Sequence, residues 1–215
     1  SRSAPLRTSF TVRRFLALAL LASLAAGTHR PLAADEKAEL TSAGIRVFSA
    51  GHSFHVFMPA ILREMATAGG MKDHKQIGVQ SIGGSRVIQH WDLPDEKNTV
   101  KPALKSGEVE VLTLSPIYLP DDGIEKLVEL GLEHNPKIRV LLQEFWLPYD
   151  VYAPNYKQKR PAPVDRNART VDEIRKEHAD YFKSMDDYAS ELNKKHGKTI
   201  VGITPVGQAV ILLRE

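Results

Sequence analysis

The chain has 215 residues, of which 42% are hydrophobic and 26% charged, and these values predict one globular domain with a substantial core. Because it contains no cysteine, disulfides, thiolate catalysis and cysteine-ligated metals are excluded. Five arginines precede Asp35, and without them 24 basic residues face 26 acidic ones, a net charge of −2 that argues against a nucleic-acid partner.

Residues 1–34 have the pattern of a signal peptide. Arg13 and Arg14 precede an apolar run over 15–27, and the small residues Ala33 and Ala34 come just before Asp35. The run is short for a membrane span, although a permanent anchor is the alternative. The sequence therefore predicts an exported protein, periplasmic or secreted, that keeps no stable membrane association after signal cleavage.

From residue 35 onward, strand-like and helix-like patterns alternate. Strands are predicted over 45–50, 76–82, 109–114, 138–145 and 199–204, and helices over 56–68, 121–135, 170–196 and 207–214. Residues 146–169 form a long connection rich in proline and tyrosine, a candidate lid or binding loop. This alternation predicts an α/β fold with a five-stranded, mostly parallel sheet covered by helices on both faces.

The turn after the first predicted strand is the strongest candidate site. In open parallel sheets, ligands bind beyond the carboxyl ends of the strands. Gly51-His52-Ser53 follows the first strand and precedes a helix, so the hydroxyl of Ser53 is expected to be exposed, with negative charge favoured by the helix N-terminus. A nucleophilic serine is displayed in this way, but a plain tight turn or a phosphate-binding loop would use the same residues.

The order and spacing of the segments from Ile45 to Gly207 resemble the SGNH (GDSL-like) hydrolase family, in particular its exported members from environmental bacteria. The resemblance rests on 51–53 as the nucleophile block and on 81–85, Ser-Ile-Gly-Gly-Ser, as the glycine block after the second strand. It implies that residues 35–215 form an SGNH hydrolase-like domain with a three-layer α/β/α, flavodoxin-like fold. It also implies a nucleophile at Ser53 and an oxyanion hole built from the backbone N–H groups of Ser53 and of Gly83 or Gly84.

The family implies an esterase or lipase, often one that removes acetyl groups from carbohydrates. We therefore expect a serine hydrolase acting on a small-molecule or carbohydrate ester, without a cofactor or metal. The alternative is a non-catalytic, flavodoxin-like ligand-binding domain, or an inactive hydrolase fragment, that uses the same loops.

Two departures from the family pattern concern the remaining catalytic groups. Residues 115–118 read Ser-Pro-Ile-Tyr where the family supplies an asparagine to the oxyanion hole, so Ser115 or Gln143 would have to replace it. The family's acid and base, in an Asp-x-x-His, do not occur before Glu215. The general base is therefore expected beyond residue 215, in a missing C-terminal part of the domain, and the 215 residues alone are expected to be nearly inactive.

Other polar and aromatic side chains are predicted near this site. Possible substrate-binding residues lie at or beyond the end of a predicted strand, or in or after the glycine block: His55, Ser85, His90, Gln143 and Trp146. A zinc site from His52, His55, His90 and Asp92 is a weaker alternative, since a single His-x-x-His at a turn gives little support. His178 and three further histidines are predicted to lie at the surface.

Overall fold

The computed structural model describes residues 44–146, 151–153, 157–159, 161, 165 and 167–214; the predicted signal peptide lies outside them. Within these ranges five strands form one all-parallel sheet in the order β2-β1-β3-β4-β5. The strands are β1 (Arg46–Gly51), β2 (Lys75–Ser81), β3 (Val111–Leu114), β4 (Arg139–Gln143) and β5 (Val201–Thr204). The predicted α/β fold with its five-stranded parallel sheet is confirmed.

Six helices connect the strands or follow them within the described ranges. They are α1 (Met58–Ala68), α2 (Val87–Trp91), α3 (Val100–Lys105), α4 (Asp122–His134), α5 (Val171–His196) and α6 (Val206–Leu212). Right-handed crossovers place α2 to α5 on one face of the sheet and α1 on the other, which gives the three layers. Helix α6 follows β5 and packs against α5. Among the described helices, none is both long enough and apolar enough to cross a membrane.

One face of the sheet carries the main hydrophobic core, and we call it the closed face. Its strand side chains are apolar and at most 2% exposed: Phe48, Ala50, Leu112, Leu114, Val140, Leu142 and Val201. They pack against buried residues of α4 and α5 such as Leu127 and Met185. The opposite face, under α1 and bordered by α6, we call the open face, because Leu141 on it keeps 38% exposure. Alternation along each strand assigns the odd-numbered residues of β3 and β4 to this open face.

Asp121 fixes the position of α2, the helix that follows the glycine block. Its buried carboxylate accepts the first helical N–H groups, from Val87 at 2.7 Å and Ile88 at 2.8 Å, and also caps its own helix through Gly123 at 3.2 Å. Burial raises the pKa of Asp121, while these hydrogen bonds and Arg86 oppose the rise. The amide donors and the N-terminal end of α2 stabilise the buried charge.

The structure corrects three local predictions. The short helices α2 and α3 were not predicted, because five or six residues are too few to show a helical period. Helix α1 begins at Met58, two residues later than predicted. His178 is fully buried in α5, where its Nδ1 lies 3.0 Å from the carbonyl oxygen of Ile174, so the prediction that it lies at the surface is wrong.

The long connection between β4 and α5 is described only in part. Tyr152 and Lys159 form an antiparallel bridge, and the N–H of Ala153 donates to the carbonyl of Gln158 at 2.8 Å. Residues 147–150, 154–156, 160, 162–164 and 166 of the predicted loop lie outside the described residues. Whether this connection acts as a lid therefore stays a prediction.

Candidate functional site

Ser53 lies in a turn in which the amides on both sides of its own have partners. The N–H of His52 donates to the Ser115 hydroxyl at 3.3 Å, and the N–H of Phe54 donates to Nδ1 of His52 at 3.3 Å. The next two N–H groups, at residues 55 and 56, donate to the carbonyl of His52. Ser53 is exposed, and among the described residues neither its N–H nor its hydroxyl has a partner. The turn thus presents one free donor beside one free hydroxyl.

Gly51 is required because other groups approach its α-carbon closely. A Cβ at this position would lie 2.3 Å from the hydroxyl oxygen of Ser115 and 2.9 Å from Cδ2 of His55. Both distances are shorter than any normal contact of a carbon atom. The glycine therefore allows β1 to end against the end of β3, which is where the order of strands reverses and where open sheets bind ligands.

The glycine block lies beside this turn and also carries free amides. The last register pair of β1 and β2 joins Gly51 to residue 81, and the N–H of Ile82 donates to the carbonyl of Gly51 at 3.2 Å. Ser53 and Gly83 therefore each lie two residues after this last pair, at the same edge of the sheet. The N–H groups of Gly83 and Gly84 have no partner among the described residues. Gly84 has φ +62°, a left-handed conformation that favours glycine.

The predicted contribution of a helix N-terminus to Ser53 is wrong. The N-cap of α1 is Phe57, four residues after Ser53, and residues 53–57 form turns instead of the first helical turn. Because the helix dipole acts within about one turn of the helix end, it does not stabilise charge at Ser53. Any electrostatic stabilisation there has to come from individual amide N–H groups.

His55 connects the Ser53 turn to the sheet. Its Nδ1 lies 2.8 Å from Oε1 of Gln143 on β4, and its Nε2 lies 2.8 Å from the hydroxyl of Thr113 on β3. The amide nitrogen of Gln143 donates in turn to the carbonyl of Phe54 at 3.0 Å. Burial lowers the pKa of His55, although its two hydrogen bonds oppose that change. The imidazole is therefore neutral at physiological pH.

His90 is held inside the protein below the glycine block. Its Nε2 lies 2.8 Å from the hydroxyl of Ser85, and its Nδ1 lies 3.1 Å from the amide nitrogen of Gln80. The carbonyl oxygen of that glutamine accepts the backbone N–H groups of Thr99 at 2.7 Å and Val100 at 3.0 Å, which fixes the amide orientation. Nδ1 of His90 is consequently an acceptor, and the ring proton lies on Nε2, directed at Ser85. In this tautomer His90 cannot accept the proton of Ser85.

His52 is 1% exposed and shapes the turn through its ring. Since Nδ1 accepts the N–H of Phe54, the proton of the neutral ring lies on Nε2, which has no hydrogen-bond partner among the described residues. The ring packs edge-on against Phe145, with 5.2 Å between ring centres. Burial and the neighbouring histidines 55 and 90 lower the pKa of His52 to about 4. His52 is a neutral, structural group in the turn.

The three buried histidines near the Ser53 turn, at positions 52, 55 and 90, share one property that limits their chemistry. In each ring the nitrogen without a proton already accepts a hydrogen bond: from Phe54 in His52, from Thr113 in His55 and from Gln80 in His90. None can accept the proton of Ser53 without losing a bond that holds the fold. Within the described part of the chain, no three histidine, aspartate or glutamate side chains are grouped to hold a metal.

An apolar groove of about 360 Å³ lies on the open face beside the Ser53 turn. Among the predicted substrate-binding residues, His55, Gln143 and Trp146 line it, whereas Ser85 and His90 are 1% exposed and occupied with each other. Trp146 packs edge-on against Phe54, with ring centres 4.6 Å apart. The structure thus brings three of the five predicted residues to one groove. Their predicted role in binding substrate stays a prediction.

The two side chains predicted to replace the missing asparagine are both engaged. The hydroxyl oxygen of Ser115 is buried and accepts the N–H of His52, and the amide of Gln143 bonds to Phe54 and His55. Sequence reasoning did not identify Ser49 and Thr113, whose hydroxyls are 2.8 Å apart on neighbouring strands. The sequence signal that could have identified them is weak, because each is a single hydroxyl residue on the open-face side of an otherwise apolar strand.

Comparisons with known proteins add no assignment to this geometry. The amino-acid sequence matches no protein-family model, and no curated protein sequence is significantly similar to it.

Proposed function

We propose that the protein is an exported serine hydrolase of the SGNH type that cleaves an ester, with Ser53 as the nucleophile. The observation that carries the proposal is the pattern of amide use in the turn. The four N–H groups on either side of it, of residues 52 and 54 to 56, have partners, while that of Ser53 lies free beside its own exposed hydroxyl. Because Ser53 is exposed, this amide stays available to an oxygen atom of a bound ligand.

The free amides suit the charge that develops during acyl transfer. Attack of the Ser53 oxygen on an ester carbonyl breaks the carbon–oxygen π bond and leaves a negative oxygen, which needs fixed donors at about 2.7–3.1 Å. The N–H of Ser53 and that of Gly83 or Gly84 are the proposed donors. Loss of one such donor in a serine hydrolase typically lowers kcat about 10²–10³-fold. The tetrahedral intermediate then collapses, expels the alcohol and leaves an acyl-serine for water to hydrolyse.

The hydroxyl of Ser53 needs a base, because an unassisted serine is a weak nucleophile at neutral pH. The neighbouring histidine lone pairs are already used, as described above. We therefore place the base outside the described residues and assign no base role to His52, His55 or His90. In this proposal those three histidines organise the turn and the glycine block.

A carbohydrate acetyl ester is the proposed substrate class. The groove beside the turn combines apolar walls, including Phe54 and Trp146, with polar groups of His55 and Gln143. An indole ring can pack against the apolar face of a sugar, while an acetyl group needs only a small space at the serine. Trp146 is the residue proposed for that contact.

The decisive experiment is active-site labelling with a fluorophosphonate probe, followed by hydrolysis of p-nitrophenyl acetate by the full-length protein. We expect labelling at Ser53 and loss of both signals in Ser53→Ala. Ser106→Ala is the matched control, since Ser106 is also exposed but its hydroxyl donates to the carbonyl of Ala103 at 2.8 Å. Equal turnover by wild type and Ser53→Ala would show that this serine is not the nucleophile.

The same free amides favour one other function, capture of an anionic or sugar ligand without chemistry. Unpaired N–H groups at a strand end form an anion-binding site whether or not a nucleophile is present. Saturable, Ser53-independent binding of an anionic sugar, together with no fluorophosphonate labelling, would favour this binding domain over the hydrolase.

A further inference from the structure

A chain of side-chain hydrogen bonds crosses the open face of the sheet and ends at the Ser53 turn. It begins at Gln76, whose amide nitrogen lies 3.3 Å from the hydroxyl of Ser49. It continues through Ser49 and Thr113, 2.8 Å apart, to His55 and Gln143, and ends at the carbonyl of Phe54. We call these six groups the relay. It joins strands β2, β1, β3 and β4 to the residue that follows Ser53.

Only one direction of hydrogen donation satisfies the whole relay. The carbonyl of Phe54 can only accept, so the amide nitrogen of Gln143 faces it and Oε1 of Gln143 faces His55. Nδ1 of His55 must therefore carry the ring proton. Its Nε2 is then an acceptor, and the hydroxyl hydrogen of Thr113 has to point to it.

The remaining hydrogens follow from that choice. Because the Thr113 hydrogen is used by His55, the Ser49 hydroxyl donates to the Thr113 oxygen, and the amide nitrogen of Gln76 donates to the Ser49 oxygen. The same amide nitrogen is fixed by the carbonyl of Gly78 at 2.7 Å. Each contact of the relay then has one hydrogen and one acceptor, an arrangement in which the bonds reinforce one another.

We infer that His55 is a positioning residue for Ser53, held in the Nδ1–H tautomer by the relay, opposite to the Nε2–H tautomer of His52 and His90. Through Gln143 the relay fixes the peptide unit between Phe54 and His55. The N–H of that unit donates to the carbonyl of His52, which shares a planar peptide unit with the free Ser53 N–H, and this sets the direction of the Ser53 amide. A neutral histidine suits this role because it donates at one nitrogen and accepts at the other. The catalytic part of this inference rests on the proposed hydrolase function, whereas the tautomer and the fixed turn do not.

The structural test is NMR of the histidine ring nitrogens in the ¹⁵N-labelled protein at pH 7. We expect the proton on Nδ1 in His55 and on Nε2 in His52 and His90. Thr113→Val removes one hydroxyl from the relay and leaves Nε2 of His55 without its donor. It should mix the His55 tautomers and speed amide exchange of residues 55 and 56 about 3- to 10-fold, the equivalent of one hydrogen bond. Thr113→Ser should keep the wild-type tautomer and exchange rates.

The kinetic test uses the same variants with p-nitrophenyl acetate. Thr113→Val should lower kcat about 3- to 10-fold with KM nearly unchanged, and Thr113→Ser should restore it. Thr67→Val is the matched control, because that hydroxyl donates only within α1, to the carbonyl of Arg63 at 2.8 Å. A proton on Nε2 of His55, or Thr113→Val with wild-type exchange rates, would overturn the inference. Failure of the hydrolase proposal would instead appear as no Ser53-dependent turnover while the NMR result stands.

Discussion

The two faces of the sheet differ: the closed face carries the main hydrophobic core, and the open face carries the polar groups beside the candidate site. On the closed face, strand side chains such as Leu112 and Leu142 are fully buried among the helices α2 to α5. On the open face, Leu141 is 38% exposed, and the polar relay lies beside two adjoining grooves of about 360 and 510 Å³. Consecutive residues of one strand therefore meet different environments. The closed face holds the strands in place, while polar groups on the open face orient the turn that carries Ser53.

The largest expected effect is a cavity in the closed face. Leu142→Ala should lower the free energy of unfolding by about 2–5 kcal/mol, because the side chain is 0% exposed and its removal leaves a void. Leu141→Ala, one residue earlier on the open face, should cost far less. Urea denaturation of both variants measures the difference. Similar losses for the two leucines would contradict the division between the faces.

The second prediction concerns the stability of the protein at acidic pH. Burial holds the pKa of His52 and of His90 at about 4, below their ordinary value of 6.5, so the fold favours the neutral rings. The stability that the fold gains from each neutral ring is fully present above pH 6.5 and is lost as the pH falls toward 4. For one histidine the loss is on the order of 3 kcal/mol.

Urea midpoints at pH 7 and pH 4.5 test the acid prediction, with His52→Asn as the comparison. Asparagine can still accept the N–H of Phe54 but does not titrate, so the variant should lose less stability on acidification. The carboxyls of Asp121 and Glu144, whose pKa values burial raises, act in the opposite direction and are common to both proteins. Equal acid sensitivity would show that His52 is not held neutral by the fold.

A third, intermediate effect is expected from the glycines at the strand ends. Gly51→Ala should destabilise by about 1–3 kcal/mol, since its Cβ would overlap the Ser115 hydroxyl and the His55 ring. Gly83→Ala is the matched variant, because a Cβ at residue 83 meets nothing within 4 Å. Thermal denaturation should separate the two. A stable Gly51→Ala protein would show that β1 and β3 do not need to approach so closely.

The smallest effect is expected at the rim of the open face. Met65 on α1 is 63% exposed, so Met65→Ser should change the free energy of unfolding by no more than about 0.5 kcal/mol. Calorimetry of this variant and of Leu142→Ala measures the smallest and the largest expected loss of stability on the two faces. A loss above 2 kcal/mol would mean that the open face carries part of the core.

The elements that sequence reasoning predicted well are those with a sustained pattern. The five strands and the helix from Val171 to His196 were placed within about two residues at most ends, and the capping box at Thr170 and Glu173 is present. The exposure of Ser53 was also predicted, because small residues at a strand-to-turn junction leave the hydroxyl outside. Helices α2 and α3 were missed, since their starts depend on a carboxylate and an amide from distant strands and loops.

The sequence by itself determined the alternation of strands and helices and the exposed serine after the first strand, because periodicity and turn chemistry act over a few residues. Only the tertiary structure decided what the histidines do. His55 meets partners 58 and 88 residues away in the chain, and these partners fix which nitrogen carries its proton. A proton's position depends on the groups that surround it in space, and no pattern of neighbouring residues encodes that arrangement.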